Sequence, residues 1–135
     1  MKKLLFFLFF ALTNVSVYGQ GEISFEEKII DVGEVYAKDS IKVDFKFKNI
    51  GNDSIKICSA QCSYFPLKCI YSKNSIAPGE EGTITVKGIM FNERQAPPYR
   101  IGSFKKALGV ASTGKNSGNR LIIVGKVIAE ERPKN

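Results

Sequence analysis

Three cysteines, Cys58, Cys62 and Cys69, are the densest chemistry in this sequence. Thiols so close together have three uses. Two can pair as a disulfide in an oxidising compartment. All three, as thiolates, can hold a soft ion such as Cu(I) or zinc. Unpaired and buried, each packs like a small hydrophobe. Three residues separate the first two and six the second two, a spacing that matches no common zinc pattern. A disulfide is therefore preferred. Cys62 with Cys69 would close a short loop worth about 2–3 kcal/mol and leave Cys58 over, although spacing alone does not decide the pairing. The sequence contains no histidine. That removes the commonest general base and metal ligand, and with them Ser-His-Asp and Cys-His catalysis and histidine zinc sites.

A second candidate is the connection Asn92 to Arg100. Pro97-Pro98 stiffens it, and Tyr99 lies near Arg94 and Arg100. Tyrosine and arginine are typical anchors at protein interfaces, so Tyr99, Arg100 and Arg94 are the expected partner-binding residues. The competing surface is Leu67 to Tyr71, which Pro66 marks as a sheet-edge strand. An exposed edge can accept a partner strand through main-chain hydrogen bonds. The carboxylates Asp31, Glu34, Asp44, Glu80 and Glu81 fall on strand faces or turns and do not converge. Thr113 to Asn119 holds glycines and a lysine but opens no helix, so it is no phosphate loop. The reading is non-enzymatic and without a cofactor, with another protein or a cell-envelope component as partner. The alternative is a periplasmic soft-metal or thiol-redox protein using Cys58, Cys62 and Cys69.

The amino terminus fixes the expected compartment. Lys2 and Lys3 precede an apolar run from Leu4 to Leu12, and Val17-Tyr18-Gly19 supplies small residues at a cleavage site. That is the plan of a secretory signal peptide, and the run is short of the roughly 20 apolar residues of a spanning helix. Residues 1–19 are expected to be removed, giving an exported chain, periplasmic or extracellular, with no transmembrane segment left. Residues 20–135 suit one domain near the size of a small β-sandwich. The net charge is +7 over the whole sequence, and the lysines are dispersed rather than gathered in a stripe. Solvated strand faces explain them; nucleic-acid binding would want a basic stripe with interleaved aromatics.

The elements that must position these residues are strands. Ile41, Val43, Phe45 and Phe47 alternate with Lys42, Asp44, Lys46 and Lys48, so one face is dry and one wet. Gly51-Asn52-Asp53 breaks the pattern, and Ile55 and Ile57 resume it. A short strand at Ile23 and Phe25 comes first. Ile29 to Val35 follows, with a bulge or bend expected at Gly33. After Cys58 the pattern blurs into irregular chain. Ser75 to Gly82 reads as a turn around Pro78-Gly79. Ile84 and Val86 alternate again, and Phe104, Leu108 and Val110 do so with Lys106 in their register, where a lysine snorkels outward from a strand end. Leu121 to Val127 is apolar on both parities, as a covered or central strand would be. Seven or eight short strands without an amphipathic helix predict an all-β antiparallel sandwich.

These pieces come in a known order: Val32-Gly33-Glu34-Val35, then Phe45 to Gly51, Ile55-Lys56-Ile57, a cysteine stretch, Ile76-Ala77-Pro78-Gly79-Glu80-Glu81-Gly82, Gly102 to Val110 and Leu121 to Val127. The chain resembles, over Phe25 to Val127, the bacterial domain-of-unknown-function family 1573. The resemblance implies an immunoglobulin-like sandwich related to the major-sperm-protein group, exported and non-enzymatic. It implies no substrate. Where that family often carries Ser-Cys-Gly-Cys-Thr, this chain reads Gln61-Cys62-Ser63-Tyr64-Phe65. Cys62 matches the first cysteine and Tyr64 replaces the second, so a role needing both is not implied here.

Overall fold

The computed structural model describes residues 20–62, 67–89, 101–129 and 133–134. Among them are nine strands: β1 (Ile23–Phe25), β2 (Ile29–Tyr36), β3 (Ser40–Asn49), β4 (Ile55–Cys62), β5 (Leu67–Tyr71), β6 (Ser75–Ile76), β7 (Glu81–Ile89), β8 (Gly102–Ser112) and β9 (Gly118–Ala129). They form two sheets, one in the order β1-β3-β7-β5 and the other β2-β9-β8-β4-β6. The all-β sandwich expected from the alternation is present. Among the described residues, no helix is long and apolar enough to cross a membrane.

The alternation of β3 is complete: Ile41, Val43, Phe45, Phe47 and Asn49 are buried, and the residues between them are exposed. Its dry face meets Ile84 and Val86 of β7 and, from the other sheet, Ile55, Leu108, Val110, Leu121 and Ile123. Burying such side chains is worth about 1.5–3 kcal/mol each. Phe47 lies opposite Gly82, and a Cβ on Gly82 would lie 2.4 Å from the Phe47 ring. The glycine is therefore the space the ring occupies. Phe25 packs on the same ring, tilted by 57° with centroids 5.6 Å apart.

Three expectations are corrected. Strand β4 continues past Cys58 to Cys62; a register shift between Ile57 and Ser59 is what breaks the period-two pattern there. Ser75–Ile76, expected within a turn, is a two-residue strand pairing with Ile55 and Lys56. The second of these brings the count to nine. One pair, β2 with β9, is parallel, whereas every other strand pair is antiparallel. Independently of any expectation, the chain changes sheet at each connection until the β8–β9 hairpin. The bulge expected at Gly33 is present as a register shift between Asp31 and Glu34, with Gly33 at φ 74°.

Asn49 ends β3 inside the protein, with 0% of its surface exposed. Its Oδ1 accepts from the N–H of Glu22 (3.2 Å) and of Gly51 (3.0 Å). Its Nδ2 donates to the carbonyls of Asp53 (2.8 Å) and Ile76 (3.1 Å). One side chain thus joins the entry to β1, the turn after β3, and β6. Asn116 does similar work for β1, accepting from Ile23 N–H at 3.1 Å and donating to Ile23 C=O at 2.7 Å.

Candidate functional site

The cysteines lie along one side of the sandwich. Cys62 ends β4 in one sheet and Cys69 sits in β5 of the other, and the two are joined as a disulfide with Cα atoms 6.5 Å apart. This is the pairing preferred from the sequence. The bond links two strands of opposite sheets, rather than stapling an irregular loop. Cys58 is free and exposed on β4. The trithiolate set of the metal reading is therefore not assembled, because two of its sulfurs are bonded to each other. Among the described residues no cluster of three or more His, Cys, Asp or Glu could hold a metal ion.

Tyr99, Arg100 and Arg94 lie outside the described residues, as do Phe65 and Pro66. The competing surface is described. Strand β5 ends its sheet, pairing with β7 on one side and with no strand among the described residues on the other. Ser72 N–H donates to Thr83 C=O at 2.9 Å, which fixes the phase of the ladder. Lys68 and Ile70 turn their peptide groups towards β7, and Leu67, Cys69 and Tyr71 turn theirs away. Ile70 is 46% exposed. The edge thus combines outward main-chain donors and acceptors with an apolar side chain.

The lysines read from the sequence as a solvated face acquire an arrangement once the strands are paired. Lys42 of β3 lies opposite Lys87 of β7, and Lys87 lies opposite Lys68 of β5. No sequence signal marks this row, because it exists only across three strands distant in the chain. Lys106 points inward near the start of β8, half-buried, and burial lowers its pKa from the ordinary lysine value. The Ser112 hydroxyl is buried and has no hydrogen-bond partner among the described residues.

Comparison with known proteins adds the fold's relatives. A structure of a protein of unknown function from Porphyromonas gingivalis W83 is similar at 13% identity and TM-score 0.61, over 84% of this chain and 51% of that one. The chain thus spans about half of that structure's length. A PapD-like domain of human CEP192 is similar at 12% identity and TM-score 0.58, over 83% of this chain and 89% of that one. The YadV chaperone is similar at 12% identity and TM-score 0.51, over 84% and 54%. At such identities the likeness is one of fold, the immunoglobulin-like PapD type. No curated protein matches the sequence. A family model described as "Protein of unknown function (DUF1573)" matches residues 23–127.

Proposed function

Since the chain belongs to the family Protein of unknown function (DUF1573), which carries no activity to inherit, we propose from its own geometry that it is an exported, non-enzymatic interaction module. It binds a protein or cell-envelope component through the edge of β5 that pairs with no further strand among the described residues. The observation that carries this reading is the edge itself: outward peptide groups at Leu67, Cys69 and Tyr71 beside the exposed Ile70. An extended partner segment adds to such an edge by main-chain hydrogen bonds and gains specificity from alternate side chains. The absence of any histidine from the sequence argues against the commonest hydrolytic machinery. The basic start, apolar run and small-residue tail of residues 1–19 support export.

Two measurements test it. Mass spectrometry of the exported protein should find a chain starting at or near Gln20; an intact Met1 terminus in the membrane fraction would contradict export. A photo-crosslinking residue placed at Ile70 should capture a cell-envelope partner, and the same group at Lys105 on the opposite sheet should not. Capture from Tyr99 but not from Ile70 would move the site to the 92–100 connection.

A further inference from the structure

Side chains on the outward face of β3, β7 and β5 fall into rows across the three strands. The row Lys42–Lys87–Lys68 sets three ammonium groups directly abreast. Neighbouring strands are about 4.8 Å apart, so the three stems lie within roughly 10 Å. Like charges facing each other across strands are destabilising. The two carboxylates of this face, Asp44 and Glu81, offset the row only in part, since neither stands in it. Lys48 faces Glu81, and Asp44 accepts a hydrogen bond from the Thr85 hydroxyl at 2.6 Å. Among the described residues, none of the three lysines is found in an ion pair. The row lines a shallow, open depression of about 670 Å³ with Ser40, Ile41, Gly88 and Ile89. On the same face, two isoleucines flank it, Ile70 at 46% and Ile89 at 44% exposure.

We propose that this face rests on an anionic lipid bilayer, with Lys42, Lys87 and Lys68 engaging phosphate headgroups and Ile70 and Ile89 entering the headgroup boundary. A site for one small anion would converge donors on a point. Here three point charges stand in line on an open sheet face, which fits a surface of repeated phosphates. Lysine is a mobile point charge suited to such contacts. The isoleucines decide between a bilayer and a soluble polyanion such as an acidic peptide, because cations beside exposed apolar side chains are the combination that a lipid interface rewards. This inference shares the exposed Ile70 with the edge reading but stands on the lysine row, so the triple lysine variant, which leaves the outward peptide groups of β5 in place, separates the two. It uses outward side chains, whereas the edge uses outward peptide groups.

The test uses residues 20–135, which contain every strand described, so that the apolar run of residues 4–12 does not itself bind lipid. Flotation with phosphatidylcholine vesicles containing a minority of phosphatidylglycerol should retain the protein, and pure phosphatidylcholine should not. Each lysine-to-glutamine change should weaken binding about fivefold, and Lys42→Gln, Lys68→Gln and Lys87→Gln together about a hundredfold. Lys87→Gln alone should also raise the melting temperature, since it relieves two like-charge contacts and so reports a folded protein. Ile70→Ser with Ile89→Ser should weaken vesicle binding several-fold and leave binding to polyglutamate unchanged. The proposal is overturned if the triple variant floats like the parent, if the parent ignores anionic vesicles, or if the isoleucine pair is indifferent while polyglutamate competes fully. That last outcome would identify an acidic-polymer site instead.

Discussion

The Asn49 amide supplies two acceptor and two donor contacts to four separate backbone groups, in a place closed to water. Each buried group left without its partner costs about 1–3 kcal/mol. Asn49→Ala should therefore lower unfolding free energy by about 3 kcal/mol or more, read as a shift in denaturant midpoint. Asn49→Asp should be at least as damaging, because a carboxylate cannot donate to the carbonyls of Asp53 and Ile76. An effect within experimental error for both would show that water replaces the amide. Lys106 is a charge held half-buried on the inward parity of β8. Its folded-state pKa is lowered by burial, so between that value and the ordinary lysine value the unfolded chain binds the extra proton. Stability contributed by this residue therefore rises with pH through that window. Lys106→Met should raise the melting temperature near neutral pH, and the advantage should shrink as pH climbs towards the ordinary lysine value. A constant advantage across that range would place its cause in packing rather than charge.

At the level of elements, the disulfide is a side-chain cross-link between the two sheets, joining the end of β4 to β5. Replacing Cys62 and Cys69 together by serine should cost about 2–3 kcal/mol, as expected for a short closed loop. The Cys58→Ser change should cost under about 0.5 kcal/mol, since that thiol is exposed and surface substitutions are mild. Equal costs would mean that Cys58 carries structural weight its exposure does not suggest. Strands such as β3 were readable from the sequence because alternation encodes which face is dry. Alternation does not encode which strand lies alongside. That is why the parallel β2–β9 pair and the Lys42–Lys87–Lys68 row could not be read locally. β6 was missed because two residues are too few to show a period, and the end of β4 because the bulge at Cys58 shifts the phase. Edge status for Leu67 to Tyr71 was readable, through Pro66. The preferred loop anchors, Tyr99 and its neighbouring arginines, lie outside the described residues.

For the molecule as a whole, the orientation of β2 against β9 decides how it meets mechanical force. The two run parallel, Ile29 beside Ile122 and Tyr36 beside Ala129. Tension applied through the two ends of residues 20–135 first detaches β1, whose ladder joins three residue pairs. It then reaches β2 at Ile29 and β9 at Ala129, at opposite ends of one ladder. The slanted bonds of a parallel pair are then loaded together, in shear, instead of opening one by one. Pulling from Ile101 and Ala129 would instead load the antiparallel β8–β9 ladder from one end, as a zipper is opened. Force spectroscopy should find the end-to-end geometry markedly stronger than the zipper geometry, with equal rupture forces contradicting the argument. A module of this build would lose β1 early under end-to-end load and carry the remaining load through the β2–β9 ladder.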